Sequence, residues 1–424
     1  MNTLLSINNY FYPRGGAETV FLEHNQMFES AGWRVVPFSM WHPKNNPTPW
    51  MQYFVEEIEF GEEYSLFQKL RRVPKVIYSL EARQKLSRLL DVAAPRIAHA
   101  HNIYHHISPS ILGLLKKRGV PTVLTLHDLK IACPSYQMLT HDGVCERCKG
   151  GRLYNVVKHR CVQGSLALSA VVMVESMLHR MIGSYSKCVD QFVVPSRFYI
   201  DKLVEWGMPR ARFEHVPNPV DTSKFSPRYA PGQPFVYFGR LSREKGIATL
   251  IRAAAVARVR LQIAGTGQAE ESLRKLAAEL AAPVEFLGFV RGAQLHDLVG
   301  GARAVVLPSE WYENAPMSVL ESYALGKPVI GARIGGIPEL IRENQSGFTF
   351  PSGDADALAD VLRRVQRAPD ADIEAMGRHA RAWVDSDFSA RRYFERTLAI
   401  YNRLSAAAPA GGARPAPKVS APHT

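Results

Sequence analysis

Short apolar runs alternate with amphipathic stretches along most of the chain. The apolar runs have the length and side chains of buried strands. The strands they predict are Thr3–Asn8, Arg34–Phe38, Ile97–His101, Thr122–His127 and Gln191–Pro195 in the first half, and Pro234–Phe238, Val259–Ala264, Val284–Leu287, Ala304–Pro308 and Pro328–Gly331 in the second. Helical periodicity is clearest at Glu18–Ala31, Ile247–Ala257 and Ala357–Gln366. Strands that alternate with helices predict parallel sheets covered by helices, and therefore an α/β fold.

The length of the chain indicates two domains. Its 424 residues exceed what one hydrophobic core usually organises, and 46% of them are hydrophobic, as in a globular protein. Turn-forming residues are concentrated at Val216–Pro227, so we predict one domain over residues 1–215 and a second over residues 216–388. The tail Ser405–Thr424 is rich in Ala, Pro and Gly and is predicted to be disordered.

The sequence predicts neither export nor a membrane span. The apolar run Leu4–Ile7 is too short for the core of a signal peptide. The longest later run, Leu166–Val174, ends at Glu175 before it reaches bilayer length. We therefore expect a cytoplasmic protein.

Two glutamates eight positions apart suggest a ligand site in the second half. The segment Ser309–Glu321 reads S-E-W-Y-E-N-A-P-M-S-V-L-E. Pro316 suits the first position of a helix, which places Glu313 in the preceding loop and Glu321 on the helix. The free N–H groups of a helix start attract phosphate, and the carboxylates can accept hydrogen bonds from sugar hydroxyls on either side. A solvent-exposed helix face gives the same pattern.

Two glycine-containing turns fit the same kind of ligand. Pro234–Gly246 is an apolar strand that runs into a turn with Arg240 and Lys245, whose positive charges suit phosphate. Gly15 and Gly16 follow the first strand and allow backbone to approach a ligand closely. Each turn by itself is equally compatible with an ordinary surface loop.

Five motifs in this order resemble the retaining glycosyltransferases of family 4. The motifs are G-G-A-E from Gly15, G-R-L-S-R-E-K-G from Gly239, I-A-G-T-G-Q from Ile263, L-G-F-V from Leu287, and the pair Glu313 and Glu321. The resemblance implies the GT-B fold, in which two Rossmann-like domains face each other across a cleft and a C-terminal helix, here residues 389–404, returns to the first domain. It also implies transfer of a hexose from a UDP- or GDP-sugar to a glycan or lipid-linked acceptor, in bacterial polysaccharide or lipopolysaccharide assembly.

The resemblance also implies roles for individual residues. Arg240 and Lys245 would contact the donor diphosphate. Glu313 would contact the hexose and Glu321 the ribose. Further donor contacts would fall on Gly15, Gly16, Gly265, Ala315, Met317 and Ser318. In this family the departing phosphate oxygen is thought to take the acceptor proton, so by analogy catalysis requires no protein base. The contacts of Arg240 and Lys245 with the diphosphate would also remove the need for a divalent metal, and no other cofactor is expected for catalysis.

Histidines at strand ends are further candidates. His127 follows a predicted strand at a position where related enzymes place a histidine near the transferred sugar, so we count it as a catalytic candidate beside Glu313. The alternative is a histidine that only caps the strand end. His99 and His101 share a strand face, but a metal site there would need a third ligand that the sequence does not identify.

One motif departs from the family pattern. Many members have E-G-F-G where this chain has Glu313-Asn314-Ala315-Pro316. Pro316 offers no N–H where a glycine amide would lie. This departure bears on the identity of the transferred sugar more than on the activity.

Four of the five cysteines lie within 29 residues, in a predicted insertion of the first domain. Cys133, Cys145, Cys148 and Cys161 have the spacing C-x11-C-x2-C-x12-C. In a reducing compartment this clustering is compatible with a structural zinc site or with reduced thiols, and less with disulfides. The second C-x2-C of a zinc ribbon is absent from the spacing.

The chain carries a net charge of +13, and the excess is densest at Phe67–Leu90, with seven basic residues, one acid and interleaved apolar residues. Such a segment can bind an anionic membrane surface. It therefore predicts a peripheral location on the inner face of the plasma membrane, where a polyprenyl-linked acceptor would lie. A solvated basic helix is the alternative.

Two other functions fit part of the pattern. Basic charge and a cysteine cluster fit a nucleic-acid-binding protein, but that function leaves the glycine, basic and glutamate motifs unexplained, so no nucleic-acid partner is expected. A nucleotide-sugar epimerase of the same fold would use the donor without an acceptor, and the glutamate pair argues against it.

Overall fold

Two parallel sheets organise the computed structural model, which describes residues 2–58 and 73–407. Its strands are β1 Thr3–Ile7, β2 Arg34–Phe38, β3 Ile97–Ala100, β4 Thr122–Thr125, β5 Leu139–Thr140, β6 Gly143–Val144, β7 Gln191–Val194, β8 Phe213–His215, β9 Phe235–Phe238, β10 Leu261–Ala264, β11 Val284–Gly288, β12 Ala304–Leu307, β13 Val329–Arg333 and β14 Gly347–Pro351. Its principal helices are α1 Gly16–Ser30, α2 Leu80–Ala93, α3 Ser110–Lys117, α4 Asn155–Lys158, α5 Leu166–Ile182, α6 Arg197–Glu205, α7 Ile247–Ala257, α8 Glu270–Glu279, α9 Gly292–Gly300, α10 Met317–Ala324, α11 Ala355–Arg367, α12 Asp370–Asp387 and α13 Ala390–Ala407.

Each half of the chain forms one doubly wound sheet. The first sheet has the strand order β2-β1-β3-β4-β7-β8 and the second has β11-β10-β9-β12-β13-β14. Neighbouring strands in both sheets run parallel. Helices cover both faces, and the inner strands are accordingly continuous apolar runs, such as the F-V-Y-F of β9. The second order is that of Rossmann domains, and the first begins with the other common doubly wound order. The predicted pair of Rossmann-like halves is confirmed.

The strand orders locate the sites where ligands are expected. In open parallel sheets, ligands bind beyond the carboxyl ends of the strands where the order reverses. In the second sheet this point lies between β9 and β12, so the loops 239–246 and 308–316 emerge side by side. In the first sheet it lies between β1 and β3, which are followed by the loops 8–15 and 101–109.

The last helix, α13, returns to the first half, as the GT-B expectation requires. Its residues Tyr393, Ile400 and Tyr401 are buried in a cluster with Leu4 and Phe28 of the first half. Immediately before α13, the amide of Val220 donates to the carbonyl oxygen of Phe388 at 2.9 Å. The chain therefore crosses between its halves twice.

The structure contains all ten predicted strands and adds others. The sequence analysis missed β8 and β14, which are the outer strands of their sheets, and the small hairpin of β5 and β6. Outer strands need less apolar sequence because one edge lacks a partner, and β8 has the polar residues Glu214 and His215. The helix α13 continues to Ala407, so the first three residues assigned to the disordered tail are helical, and residues 408–424 lie outside the described part.

Within residues 2–58 and 73–407, none of the helices combines the length and the hydropathy that crossing a bilayer requires.

Candidate functional site

Lys245 and Glu313 form an ion pair at the reversal point of the second sheet. Lys245 Nζ lies 2.6 Å from Glu313 Oε1, and Ser309 Oγ donates to the same oxygen at 2.8 Å. Burial by itself would raise the pKa of Glu313, but the charge and hydrogen bond of Lys245 outweigh burial and hold that pKa below its usual value. Glu313 is therefore an ionised acceptor at neutral pH.

Arg240 lies on the same loop and is largely exposed. Its Nη2 donates to Glu244 Oε1 at 2.8 Å, and its Nε donates to Ser242 Oγ at 3.2 Å. The buried Glu244 thereby fixes one side of the guanidinium. A guanidinium has five N–H donors, and the side chain of Arg240 is 61% exposed, so donors remain for an anion in the cleft.

The glycines of the second half have a packing role. Gly265 has φ +146°, and a Cβ atom there would lie 1.9 Å from the carbonyl oxygen of Gly239. Gly246 has φ +66°, and its Cβ would lie 1.9 Å from the carbonyl oxygen of Pro308. Both positions require glycine because two backbone segments touch. Gly265 therefore packs against the backbone of the residue that precedes Arg240, a role that the sequence analysis did not consider.

The helix α10 begins one residue later than predicted. Pro316 is its N-cap, with φ −65° and ψ 124°, and Met317 is its first helical residue. An extended ψ is usual for an N-cap residue, and the carbonyl of Pro316 accepts from the amide of Val319 at 3.2 Å. Ala315 is buried, and its carbonyl accepts from Asn218 Nδ2 at 3.0 Å. Met317 and Ser318 occupy the first turn, whose N–H groups have no partner within the helix.

The starts of α1 and α10 meet across the cleft. A Cβ atom at Gly16, the first residue of α1, would lie 3.3 Å from Met317 Cγ at the start of α10. Gly15 is the N-cap of α1 and has an extended backbone. Each helix start carries a partial positive charge from its free N–H groups. Two such starts in contact create a site suited to an anion, and the two halves of the molecule contribute to it equally.

Glu321 lies one turn after Met317 on the same face of α10 and is partly buried. Burial, and secondly the charge of Glu23 on α1, raise the pKa of Glu321 to about 7. Glu23 itself pairs with Lys224 at 3.0 Å. A carboxyl group with a strongly raised pKa in a cleft is a candidate functional group.

His127 stacks on His101 at the carboxyl end of the first sheet. Their ring centroids are 5.1 Å apart, and His101 Nδ1 lies 2.9 Å from His127 Nε2. Burial lowers the pKa of His127 to about 4, so the ring is neutral. His101 Nε2 is buried without a partner among the described residues, and an orphaned acceptor costs less than an orphaned N–H. We infer that His101 donates its Nδ1 proton and that His127 carries its own proton on Nδ1.

His24 supplies the neighbour that the sequence could not identify for His99 and His101. The ligand atoms of these three histidines lie within 4.8 Å of one another. However, both nitrogens of His24 bond to tyrosine hydroxyls of α13, and His99 bonds to Tyr401 and Thr125. Ring nitrogens with these partners have no lone pair left for a metal. The group is a hydrogen-bonded core that attaches α13 to the first sheet.

Asn314 joins the two halves next to both catalytic candidates. Its Nδ2 donates to the carbonyl of Leu126 at 2.8 Å, and its Oδ1 accepts from Ser196 Oγ at 2.7 Å. Asn314 follows Glu313 in sequence and Leu126 precedes His127, so one side chain sets the separation of these candidates. The sequence analysis treated Asn314 only as a departure from the family motif, because its partners are 188 and 118 residues away.

The clustered cysteines lie around one cavity of the first half. Cys133, Cys145, Cys148 and Cys161 are free thiols that line one small cavity beside His159. Cys188 lies apart from this group and is also a free thiol.

The basic segment Phe67–Leu90 is only partly described, from residue 73 onward. Its apolar positions Leu86, Leu89 and Leu90 on α2 are buried in the core of the first half. Lys85 donates to the carbonyl of Phe54. The expectation that interleaved apolar residues lie free for a membrane is therefore wrong for Leu86, Leu89 and Leu90, whereas Leu80 at the start of α2 is exposed.

Two family descriptions match the sequence, one for each half. Glycosyltransferase Family 4 matches residues 14–224, and Glycosyl transferases group 1 matches residues 222–383. The chain belongs to glycosyltransferase family 4. As a family member it is a transferase, as the motifs predicted.

Curated relatives agree with the family. This family 4 glycosyltransferase is 30% identical to the amylovoran biosynthesis glycosyltransferase AmsK of Erwinia amylovora over 226 residues, which cover 50% of this chain and 55% of AmsK. The chain thus spans about half the length of the curated relatives of this kind.

Solved structures match over nearly the whole chain. Sucrose-phosphate synthase from Thermosynechococcus elongatus superposes with a TM-score of 0.69 at 20% identity, covering 96% of this chain and 100% of that one. Anabaena HepE in complex with UDP superposes with a TM-score of 0.65 at 18% identity, covering 95% and 100%. At these identities the likeness supports the GT-B fold alone.

Proposed function

We propose that this protein transfers a hexose, with retention of configuration, from a UDP- or GDP-sugar to a glycan or lipid-linked acceptor. The observation that carries the proposal is the meeting of two helix starts, at Gly16 and Met317, beside the Lys245–Glu313 ion pair. Anion-binding amides, two cations and an ionised carboxylate within one cleft fit a sugar joined to a diphosphate. A single phosphate would not need the carboxylate.

The donor would lie along α10. The first-turn amides of Met317 and Ser318, with Lys245 and Arg240, would surround the diphosphate. Glu321, one turn further on, would accept hydrogen bonds from the ribose. On donor binding, Lys245 would move from the carboxylate of Glu313 to phosphate, which frees Glu313 to accept from a hexose hydroxyl.

Catalysis would come mainly from charge stabilisation. As the bond between the anomeric carbon and the phosphate oxygen breaks, negative charge grows on the diphosphate, and each prearranged donor there contributes about 3 kcal/mol. The acceptor oxygen forms its bond to the anomeric carbon on the same face, and its proton passes to the departing phosphate oxygen. Lys245 and Arg240 supply the charge for which other enzymes use a divalent cation, so we propose a metal-independent reaction.

Polysaccharide or lipopolysaccharide assembly is the setting we propose, by analogy with the name of AmsK. The complexes of HepE with UDP and with UDP-glucose favour a uridine donor for this chain as well. The helix α5 exposes Val174, Met177 and Met181 beside the exposed cations Arg180 and Lys187. Apolar and basic groups on one surface suit a peripheral contact with an anionic membrane that carries a lipid-linked acceptor.

Nucleotide release from a panel of UDP-, GDP- and ADP-sugars tests the proposal. We expect slow hydrolysis of one donor that is insensitive to EDTA and lost in Glu313→Gln. The matched control is Glu285→Gln, because Glu285 is an exposed glutamate on β11 that bonds only to Gln262 among the described residues. If no donor is cleaved or raises the melting temperature, the proposed site is wrong. Epimerised sugar without nucleotide release would favour the epimerase alternative.

A further inference from the structure

The four clustered cysteines lie on a small irregular unit between β4 and α5. Cys145 directly follows the hairpin of β5 and β6, and its amide donates to the carbonyl of Met138 at 2.7 Å. Cys133 precedes the hairpin, and Cys148 lies three positions after Cys145. Cys161 follows α4, where its amide donates to the carbonyl of Val156 at 3.0 Å. A hairpin followed by C-x2-C, with two further cysteines opposite, is a frequent zinc-binding arrangement.

All four thiols line the same cavity. Its volume is about 10 Å³, close to the space that a single water or ion occupies. Cys133 and Cys148 are buried, and Cys145 and Cys161 are half-buried. Besides the four cysteines, the cavity is lined mainly by apolar side chains, with Ser135, Asn155 and His159 as the further polar residues. Of these three, His159 has the side chain that commonly binds zinc.

The unit contains little regular secondary structure. Its strands have two residues each and α4 has four. Several of its residues other than glycine have a left-handed backbone: Tyr136, Met138, Arg160 and Gln163. Such residues cost of order 1 kcal/mol each and persist only where the surroundings enforce them. Small units of this kind usually depend on disulfides or a structural metal.

We propose that Cys133, Cys145, Cys148 and Cys161 bind one thiophilic divalent cation, such as Zn²⁺, as a tetrathiolate site. Tetrahedral binding with Zn–S distances of about 2.3 Å requires the sulfurs to approach to about 3.8 Å of one another. Among the described residues, the three histidines are the one group whose ligand atoms all lie within 4.8 Å, so the sulfurs must converge on the ion. The small cavity that the four cysteines line would be filled by the ion as the sulfurs move toward it.

The site would hold the cysteine unit against the donor loops. Glu146, between Cys145 and Cys148, accepts from the hydroxyl of Tyr312 at 2.9 Å. The carbonyl of His141 accepts from Arg243 in the loop of Arg240 and Lys245. The unit therefore touches both loops that bear the donor residues. The metal site is independent of the proposed function, whereas an effect of the metal on donor binding rests on it.

Metal content of the purified full chain tests the site. We expect about one zinc per chain after growth in zinc-supplemented medium, with the same content in Cys188→Ser. Cys145→Ser with Cys148→Ser should abolish it. Because these variants could fail to fold, the wild-type chain is also stripped with chelator and titrated with Co²⁺. The absorption bands of tetrahedral cobalt thiolate support the site.

Three results would overturn the proposal. They are a folded protein without metal and without cobalt bands, a cobalt spectrum of octahedral oxygen or nitrogen ligation, and an intact mass that shows disulfides among the four cysteines. Bound zinc together with an inactive donor panel leaves the metal site standing and removes the proposed transferase. Donor turnover by a folded chain that binds neither zinc nor cobalt leaves the proposed transferase standing and removes the metal site.

Discussion

Lys245 Nζ and Glu313 Oε1 lie 2.6 Å apart across 68 residues of sequence, on loops that follow β9 and β12. The loops are neighbours because the strand order of the second sheet reverses between these two strands. Both side chains are mostly shielded, with exposures of 18% and 8%. In the free protein, the residue proposed to bind the hexose, Glu313, is thus paired with the residue proposed to bind the phosphate, Lys245.

Removal of one partner of this pair should cost more than removal of both. Glu313→Gln leaves the Lys245 ammonium shielded without its counter-charge, and we expect a loss of about 3 kcal/mol in unfolding free energy at pH 7. Lys245→Met should cost a similar amount, and the double variant should recover part of the loss. Melting temperatures of the four proteins measure the coupling. Strictly additive losses would show that the pair contributes no interaction.

The same pair sets a pH dependence. The pKa of Glu313 is lowered in the folded state, so its contribution to stability is fully present above the usual carboxyl pKa and is lost as the pH falls through the folded value. As the pH is lowered, the melting temperature should therefore fall less steeply in Glu313→Gln than in the wild type. An identical decrease in both proteins would contradict the lowered pKa.

Nucleotide binding should release protons from Glu321. Its pKa near 7 means that the folded free protein holds a proton there between about pH 4.5 and 7, where the unfolded chain does not. Hydrogen bonds from ribose hydroxyls favour the ionised form, so binding of UDP or GDP at pH 6.5 should release about half a proton or more. Calorimetry in two buffers of different ionisation enthalpy measures this release. Glu321→Gln should bind about 10-fold more weakly and release fewer protons, the remainder coming from the terminal phosphate of the nucleotide, whose last pKa is about 6.

His101 should act on the reaction by positioning His127. His101→Phe keeps the ring stack but removes the donor that holds His127 Nε2, so the His127 ring can turn or change its tautomer. We expect kcat to fall about 10-fold with little change in KM for the donor or in UDP affinity. Equal losses in kcat and UDP affinity, or a lower melting temperature with unchanged kcat, would indicate a purely structural role. His101→Asn offers a smaller replacement if the phenylalanine variant does not fold.

Gly265 should tolerate no side chain. Gly265→Ala places a Cβ atom against the carbonyl of Gly239 in addition to a strained φ, so we expect a loss of at least about 3 kcal/mol and weaker donor binding. Gly288→Ala is the matched control, because Gly288 also has a positive φ, of +68°, but open space around its Cβ position. It should cost about 1 kcal/mol. Equal melting temperatures for the two variants would refute the backbone contact.

The order of apolar runs and turns was enough to predict parallel sheets covered by helices in two domains, because continuous apolar strands alternate with helices throughout. The Rossmann-like arrangement of both sheets was predicted from the family resemblance. The missed strands β8 and β14 lie at sheet edges, where burial places weaker demands on sequence. The position of Pro316 was wrong by one residue, since proline is compatible both with the N-cap and with the first helical position.

Sequence alone determined the residue types of the candidate site, because Glu313, Lys245 and the glycines lie in short motifs that can be identified in the chain. Tertiary structure decided which of them meet. Asn314 sets the distance between the halves, His101 orients His127, and Gly16 touches Met317, all through contacts between segments 26 to more than 100 residues apart. Such contacts depend on strand order and helix packing, which place distant segments side by side, and local sequence does not encode them.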